Sequence, residues 1–89
     1  MKAIVTVVGK DKVGIIAAVC VQLASYNVNV LDISQTVMQG YFTMMMVVDV
    51  SGSTVPLAEL AQVLEQKGKE MELSIRLQRE DIFEAMHRV

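Results

Sequence analysis

Several residue types are scarce in this chain of 89 residues, and each scarcity excludes a class of site. Trp is absent, and there are one Cys, one Pro and one His. A lone Cys20 excludes an internal disulfide and a metal site built from several cysteines, and it suits a reducing cytoplasm. A lone His87 on a charged stretch is typical of a solvated imidazole rather than a catalytic or metal-binding one.

The chain also lacks a large excess of either charge. Eight Lys and Arg against ten Asp and Glu give a formal net charge of −2, and the basic residues are scattered. Nucleic-acid binding needs a clustered basic surface, and RNA-binding sheets add a row of exposed aromatic side chains, of which Tyr41 alone is present. We therefore expect neither DNA nor RNA as a partner.

Long apolar runs are missing as well. Residues 13–31 carry no charge, but four polar side chains interrupt them. The apolar run 3–8 is too short for the core of a signal peptide. The sequence predicts no membrane-spanning segment and a cytoplasmic protein.

Apolar residues are nevertheless abundant for the length, at 53%. Eighty-nine residues suffice for one domain, here 1–89, whose single core cannot bury all of this apolar surface. The first helical segment has no charged residue on any side, and such a helix is rarely left in water. We therefore expect a homodimer or a higher homo-oligomer.

Hydrophobic periodicity predicts an α+β fold of order βαββαβ over residues 2–78, followed by a short C-terminal helix over 80–88. The sheet is predicted to be antiparallel and four-stranded, with both crossover helices on one face. The segments in chain order are strand 3–8, helix 13–26, strands 28–38 and 41–50, helix 56–68, strand 71–78 and the tail helix.

Alternation assigns side chains to faces. Leu31, Ile33 and Val37 share one face of the second strand, and Gln39-Gly40 forms the hairpin after it. Tyr41, Met45 and Val47 are predicted to point to an open face that the tail helix or a second subunit covers. The buried positions predicted for the third strand are Phe42, Met44, Met46, Val48 and Val50, and those for the first helix are Ile16, Ala17, Cys20, Leu23 and Ala24.

Helix ends are predicted from polar residues, Pro and Gly. Asp11 is the predicted N-cap of the first helix, and Ser53 or Thr54 caps the second, which has Pro56 in its first turn. Gly68 is predicted to end the second helix, and the stripe Ile82, Phe83, Met86 and Val89 makes the tail a docking helix.

The most informative segment is the glycine-bracketed loop Gly9-Lys10-Asp11-Lys12-Val13-Gly14. A helix N-terminus offers N–H groups to an anion, and Asp11 offers a carboxylate to a cation, which together suit an amino-acid zwitterion. Simple helix capping explains the same residues without a ligand.

This loop with Ile15-Ile16, followed by Asn27-Val28-Asn29-Val30, resembles the ACT domain across the whole chain. With the tail 79–88, the chain is most similar to small stand-alone bacterial ACT proteins, relatives of the ACT halves of the glycine cleavage system repressor. The resemblance implies a ferredoxin-like fold whose subunits associate side by side. It also implies a small ligand, usually an amino acid, held between the first loop of one subunit and its neighbour.

The resemblance assigns the ligand-binding role to Asp11, Lys12, Val13, Gly14, Ile15, Asn27 and Asn29. The two asparagines serve equally well as turn residues that bond their own backbone. Val13 departs from the family, which usually has Pro before the glycine, and Gly9 lacks the side chain that some amino-acid-binding members present there. The site is therefore expected to be altered or empty in part.

Catalytic chemistry is not indicated. No nucleophile and base, paired carboxylates or metal ligands occur at a persuasive spacing, and Asp32 and Asp49 each stand alone on a polar face. Alternation splits Met44, Met45 and Met46 between two faces, which favours core filling over soft-metal binding. We expect no enzyme, no cofactor and no metal.

The leading hypothesis is a regulatory module that binds an amino acid as a homodimer. The alternative is an adaptor whose apolar first helix and tail bind a protein partner without any metabolite. A small enzyme of ferredoxin-like fold should carry a reactive loop residue, whereas Arg76, Arg79 and Arg88 lie in or beyond the last strand.

Overall fold

The computed structural model describes residues 1–86, without the side chains of Phe83 and Met86. His87, Arg88 and Val89 lie outside the described residues. Of the predicted tail stripe, Ile82 is therefore the residue whose side chain is described. The elements are β1 (Lys2–Lys10), α1 (Ile15–Ser25), β2 (Asn29–Met38), β3 (Tyr41–Asp49), α2 (Leu57–Glu70), β4 (Leu73–Arg79) and α3 (Glu80–Met86). The predicted order and the short final helix are confirmed.

All strand pairs in the sheet are antiparallel, in the order β2-β3-β1-β4. β1 and β3 therefore form the centre, while β2 and β4 are edges. The hairpin between β2 and β3 turns at Gln39 and Gly40, which have φ of 51° and 82°. Two successive positive φ values belong to the tight hairpin turn that the Gln-Gly pair predicts.

The core lies between the sheet and the helices α1 and α2. Every position predicted to be buried on β3 is at most 7% exposed. Deep burial of each large apolar side chain contributes about 1.5 to 3 kcal/mol. The largest fully buried side chains are Leu23, Met44, Met46, Leu60, Leu64, Val5, Val7, Val19 and Val48.

α1 is rotated relative to the prediction. Ile15, Val19 and Leu23 face the core, whereas Ala17 and Ala24, which were predicted to be buried, are exposed. Because α1 is apolar on nearly every side, periodicity could not fix which stripe faces inward. The exposed stripe is instead one of small and branched apolar residues.

Both predicted helix starts were wrong in their capping. Asp11 is not the N-cap of α1, because Gly14 occupies that position and no side chain caps the helix. Pro56 is the N-cap of α2, and Ser53 uses its hydroxyl to bond the backbone of Val55 instead. Both helices therefore begin with N–H groups that side chains leave unpaired.

Gly68 does not end α2, which continues through it to Glu70. The glycine is buried where the helix crosses β4, and a Cβ built on it would lie 2.7 Å from the carbonyl oxygen of Leu73 and 3.1 Å from Cγ1 of Ile75. Gly68 is therefore needed for the close approach of α2 to β4.

β2 is an edge strand that neither helix covers. Ile33 and Val37 pair with Met46 and Phe42 and share one face as predicted, whereas a register shift between Val30 and Asp32 leaves Leu31 without a partner in the ladder. Leu31, Ile33 and Val37 are 47%, 40% and 55% exposed. The strand presents unpaired backbone groups and apolar side chains together.

The other face of the sheet is only partly covered. α3 packs against β1 and β4, and Ile4 on this face is buried. Val8, Tyr41 and Met45 remain exposed, so the tail helix covers one end of the face. Among residues 1–86, no helix combines the length and the apolar character that crossing a membrane requires.

Candidate functional site

The loop between β1 and α1 is held at one end of the sheet. The Asp11 N–H donates to the Gly40 carbonyl over 2.9 Å, which ties the loop to the β2–β3 hairpin. Gly14 adopts φ of 88°, and no atom lies within 4 Å of the position its Cβ would take. The corresponding space beside Gly9 is filled by Leu73, so of the two glycines that bracket the loop it is Gly14 that leaves room for another molecule.

The Asp11 side chain is exposed and unengaged. Within the described part of the chain, its carboxylate takes part in no hydrogen bond or ion pair. Its backbone is fixed while its charge is not neutralised. This combination suits a group that accepts a hydrogen bond from a cationic ligand.

Lys12 has another partner. Its Nζ donates to the carbonyl oxygen of Met71 over 2.6 Å. Met71 is the C-cap of α2, where helix carbonyls carry partial negative charge. Lys12 therefore fastens the loop to the end of α2, although the family resemblance assigned it to the ligand.

Replacing Lys12 with Met should loosen this attachment. Loss of one exposed charge-assisted hydrogen bond should lower the free energy of unfolding by about 1 kcal/mol. Urea unfolding followed by circular dichroism measures the change, with Lys10→Met as the control because Lys10 makes no such bond. An equal loss in both variants would contradict the attachment.

A groove of about 550 Å³ adjoins the loop on the helix side of the sheet. α1 forms one wall and the edge strand β2 the other. Its floor reaches the buried ring of Phe42. The groove is lined by Asp11, Lys12, Gly14, Ile15, Ile16, Ala17, Gln35, Thr36, Val37 and Phe42.

Two other residues of the predicted loop site offer only backbone groups. The Val13 side chain is fully exposed and does not line the groove, whereas Ile15 is 2% exposed and packs in the core. The loop thus contributes a carboxylate, a glycine and the N–H groups of a helix start.

Asn27 and Asn29 lie at the opposite end of the sheet. Asn29 pairs with Asp49, whereas the loop follows Lys10, which pairs with Tyr41. Eight residues of strand separate these ends by roughly 26 Å. One subunit alone does not bring either asparagine to Asp11.

Asn27 also has a local task. It adopts φ of 61°, and its Nδ2 donates to the carbonyl oxygen of Gly52 over 3.0 Å. This bond joins the end of α1 to the turn before α2. Its amide thus serves the turn that the residue pattern also predicted.

Asp32 and Asp49, the two carboxylates on strands, each accept a hydrogen bond from the backbone. The carboxylate of Asp32 accepts a hydrogen bond from the N–H of Ile33, and that of Asp49 accepts one from the N–H of Ser51. The Ser51 N–H holds the pKa of Asp49 below its ordinary value. Residues 1–86 contain no group of three or more His, Cys, Asp or Glu side chains arranged to hold a metal ion.

Sequence reasoning missed Gln35 and Val37 as groove residues. Gln35 pairs with Met44 and Val37 with Phe42, so both share the helix-side face of the sheet. The signal was present, because Gln35 is a polar residue between two apolar ones of the same parity.

Comparison with known proteins places this geometry in a family. The profile of the ACT domain matches residues 2–78. A UPF0237 protein of Clostridium acetobutylicum is 55% identical over 89 residues, covering all of both chains. An ACT domain protein from Streptococcus pneumoniae has a structure with a TM-score of 0.83 and 47% identity, covering 98% of each chain.

Two proteins with regulatory names share the fold at lower sequence identity and lower structural similarity. The regulatory subunit of aspartate kinase from Thermus thermophilus, in a ligand-free form, has a TM-score of 0.66 and 26% identity over 86% of this chain and 50% of its own. A putative glycine cleavage system transcriptional repressor has a TM-score of 0.73 and 22% identity, covering 86% of this chain and 44% of that one.

Proposed function

This chain belongs to the ACT domain family, and from that premise we propose that it is a non-catalytic regulatory module that binds an amino acid as a homodimer. The amino acid changes the balance between two dimer states, and a protein partner in the cytoplasm senses the difference. One observation carries the proposal: a groove with an unengaged carboxylate lies beside an edge strand and a helix face that no part of residues 1–86 covers.

The dimer forms through β2 and α1. Nine of the ten β2 residues are exposed, and an uncovered edge strand pairs readily with a second copy. Ala17, Val21 and Ala24 form a charge-free exposed stripe on the adjoining helix, with Val21 68% exposed. Joining two β2 edges continues the sheet and buries both stripes in one two-fold interface.

The same two-fold arrangement completes the site. When two β2 strands pair in antiparallel fashion, the beginning of one strand lies beside the end of the other. Asn29 of the partner subunit then reaches the end of the sheet where Asp11 lies. An asparagine roughly 26 Å away in its own subunit thus acts on a ligand bound by its neighbour.

The groups in the groove complement an amino acid. The N–H groups of the first turn of α1 bind the α-carboxylate, and Asp11 accepts hydrogen bonds from the α-ammonium. Asn29 of the partner subunit supplies a further polar contact. The regulatory role of the similar aspartate kinase subunit supports this use of the fold.

A mixed-subunit experiment tests the shared site. Asp11→Ala and Asn29→Ala should each weaken amino-acid binding by about tenfold or more, because each removes a polar contact to the ligand. A mixed dimer of the two variants contains one site with both changes and one unaltered site. After co-refolding at equal amounts, roughly one quarter of all sites should regain full affinity.

Calorimetric titration counts these restored sites, and the unmixed variants are the controls. A site built within one subunit would show no recovery on mixing. Ser34→Ala, a change on β2 outside the groove lining, should leave binding unaltered.

A second function is favoured by a separate observation. Val8, Tyr41 and Met45 leave an apolar area on the sheet face opposite the helices. In an adaptor, this face would bind a protein partner without any metabolite. Such an adaptor would form the dimer but bind no amino acid.

A further inference from the structure

Gln35 is the one polar side chain on the helix-side face of β2 between Val30 and Val37. Its neighbours of the same parity are Ile33 and Val37, and its partner across the ladder is Met44, which is fully buried. A regular strand would place an apolar residue here. The Gln35 side chain, which ends in an amide, instead lines the wall of the groove.

The Gln35 amide has no partner among residues 1–86 of its own chain. It faces the groove opposite α1, where Ile16 and Ala17 provide apolar surface. An amide offers both a donor and an acceptor, so it can pair with a ligand group of either kind. Once a ligand and a second subunit cover the groove, the amide must be paired or its burial is costly.

Charges in the groove limit the ligand further. Asp11 is unneutralised, and the Lys12 ammonium is engaged with the Met71 carbonyl. The unneutralised Asp11 would repel an acidic ligand side chain, while the Lys12 ammonium is held at the Met71 carbonyl. A basic ligand side chain would lie against Ile16 and Val37 without a carboxylate of its own. Both would be disfavoured relative to an uncharged side chain.

We infer that the groove selects amino acids whose uncharged side chain ends in a hydrogen-bonding group, an amide or a hydroxyl, and that Gln35 determines this preference. The inference rests on the proposed function, because it names the ligand class of the same site. Sites that hydrogen-bond a ligand group reject analogues that lack it, since their own polar group is then left unpaired.

Titration of the wild-type protein with glutamine, asparagine, serine, leucine and methionine tests the preference. The polar amino acids should bind at least about tenfold tighter than leucine and methionine. Gln35→Leu should weaken binding of the favoured polar ligand by about tenfold and strengthen leucine binding. Ser34→Ala, next to it on β2, should leave the order unchanged.

Gln35→Glu provides a second variant that keeps the shape of the side chain. It should lower affinity for a polar uncharged ligand by about tenfold, because the carboxylate cannot donate as the amide does and adds a second negative charge to the groove that Asp11 lines. Sedimentation velocity on both variants establishes that they remain folded and assembled like the wild type.

The outcomes separate this inference from the proposed function. If the wild type binds no amino acid, the proposed function and the inference about Gln35 are both wrong. If it binds leucine or methionine best, or if Gln35→Leu leaves the order unchanged, the inference alone is wrong.

Discussion

Val21→Glu is expected to convert the dimer into a monomer and to abolish amino-acid binding at the same time. The Val21 side chain is 68% exposed at the middle of the charge-free α1 stripe. In the proposed dimer, this position lies near the two-fold axis, so two glutamates would be buried close together. Burying unpaired carboxylates costs several kcal/mol, which raises the dimer dissociation constant at least about 100-fold.

Sedimentation equilibrium measures the dissociation constant, and calorimetry on the same sample measures ligand affinity. Ala58→Glu is the matched control, because Ala58 is an exposed alanine of α2 in the same helical layer but away from β2. The control should remain dimeric and bind ligand. Dissociation by both variants, or by neither, would contradict assembly through α1.

Gly68→Ala is expected to destabilise the fold by about 2 to 3 kcal/mol, as overpacking of a close contact does. The new Cβ would lie 2.7 Å from a backbone carbonyl oxygen, and backbone cannot yield as a side-chain end can. α2 would have to move away from β4. The loss occurs although Ala is intrinsically about 1 kcal/mol better than Gly inside a helix.

Chemical denaturation gives the free energy of unfolding of this variant. Gly40→Ala is a useful comparison, because Gly40 has φ of 82° but no atom within 4 Å of its Cβ position. It should lose only about 1 kcal/mol, from backbone strain alone. A Gly68→Ala protein as stable as the wild type would show that the contact of α2 with β4 is looser than described.

The order of strands and helices could be predicted from the sequence because most segments have one clear period. Phe42, Met44, Met46 and Val48 have the same parity, and the face of β3 that they form is buried as predicted. The Gln39-Gly40 turn could likewise be found, since few residue pairs adopt two positive φ values.

Elements without a clear period were the ones mistaken in detail. α1 is apolar almost all round, so its inward stripe depends on packing and not on sequence. The register shift near Leu31 changes the alternation of β2, and no residue type next to Leu31 indicates it. The sequence predicts a helix end at Gly68 because a glycine in a close contact and a glycine at a helix terminus have the same local pattern.

Part of the candidate site could be predicted from the sequence. Asp11 and Gly14 were identified by their residue types beside a helix start, and the structure places both at the groove. Asn29 is far away in its own chain, so its part in a site depends on an assembly that one sequence does not display. Gln35 required the register of β2 on β3 to be known.

Thermal unfolding of the protein against a panel of amino acids tests the central claim most directly. A ligand at about 100 times its dissociation constant adds roughly 2.7 kcal/mol to the stability of the folded state. For a domain of this size the midpoint should rise by about 10 °C or more. We expect such a rise with at least one amino acid and its loss in Asp11→Ala; a midpoint that no amino acid changes would contradict amino-acid binding.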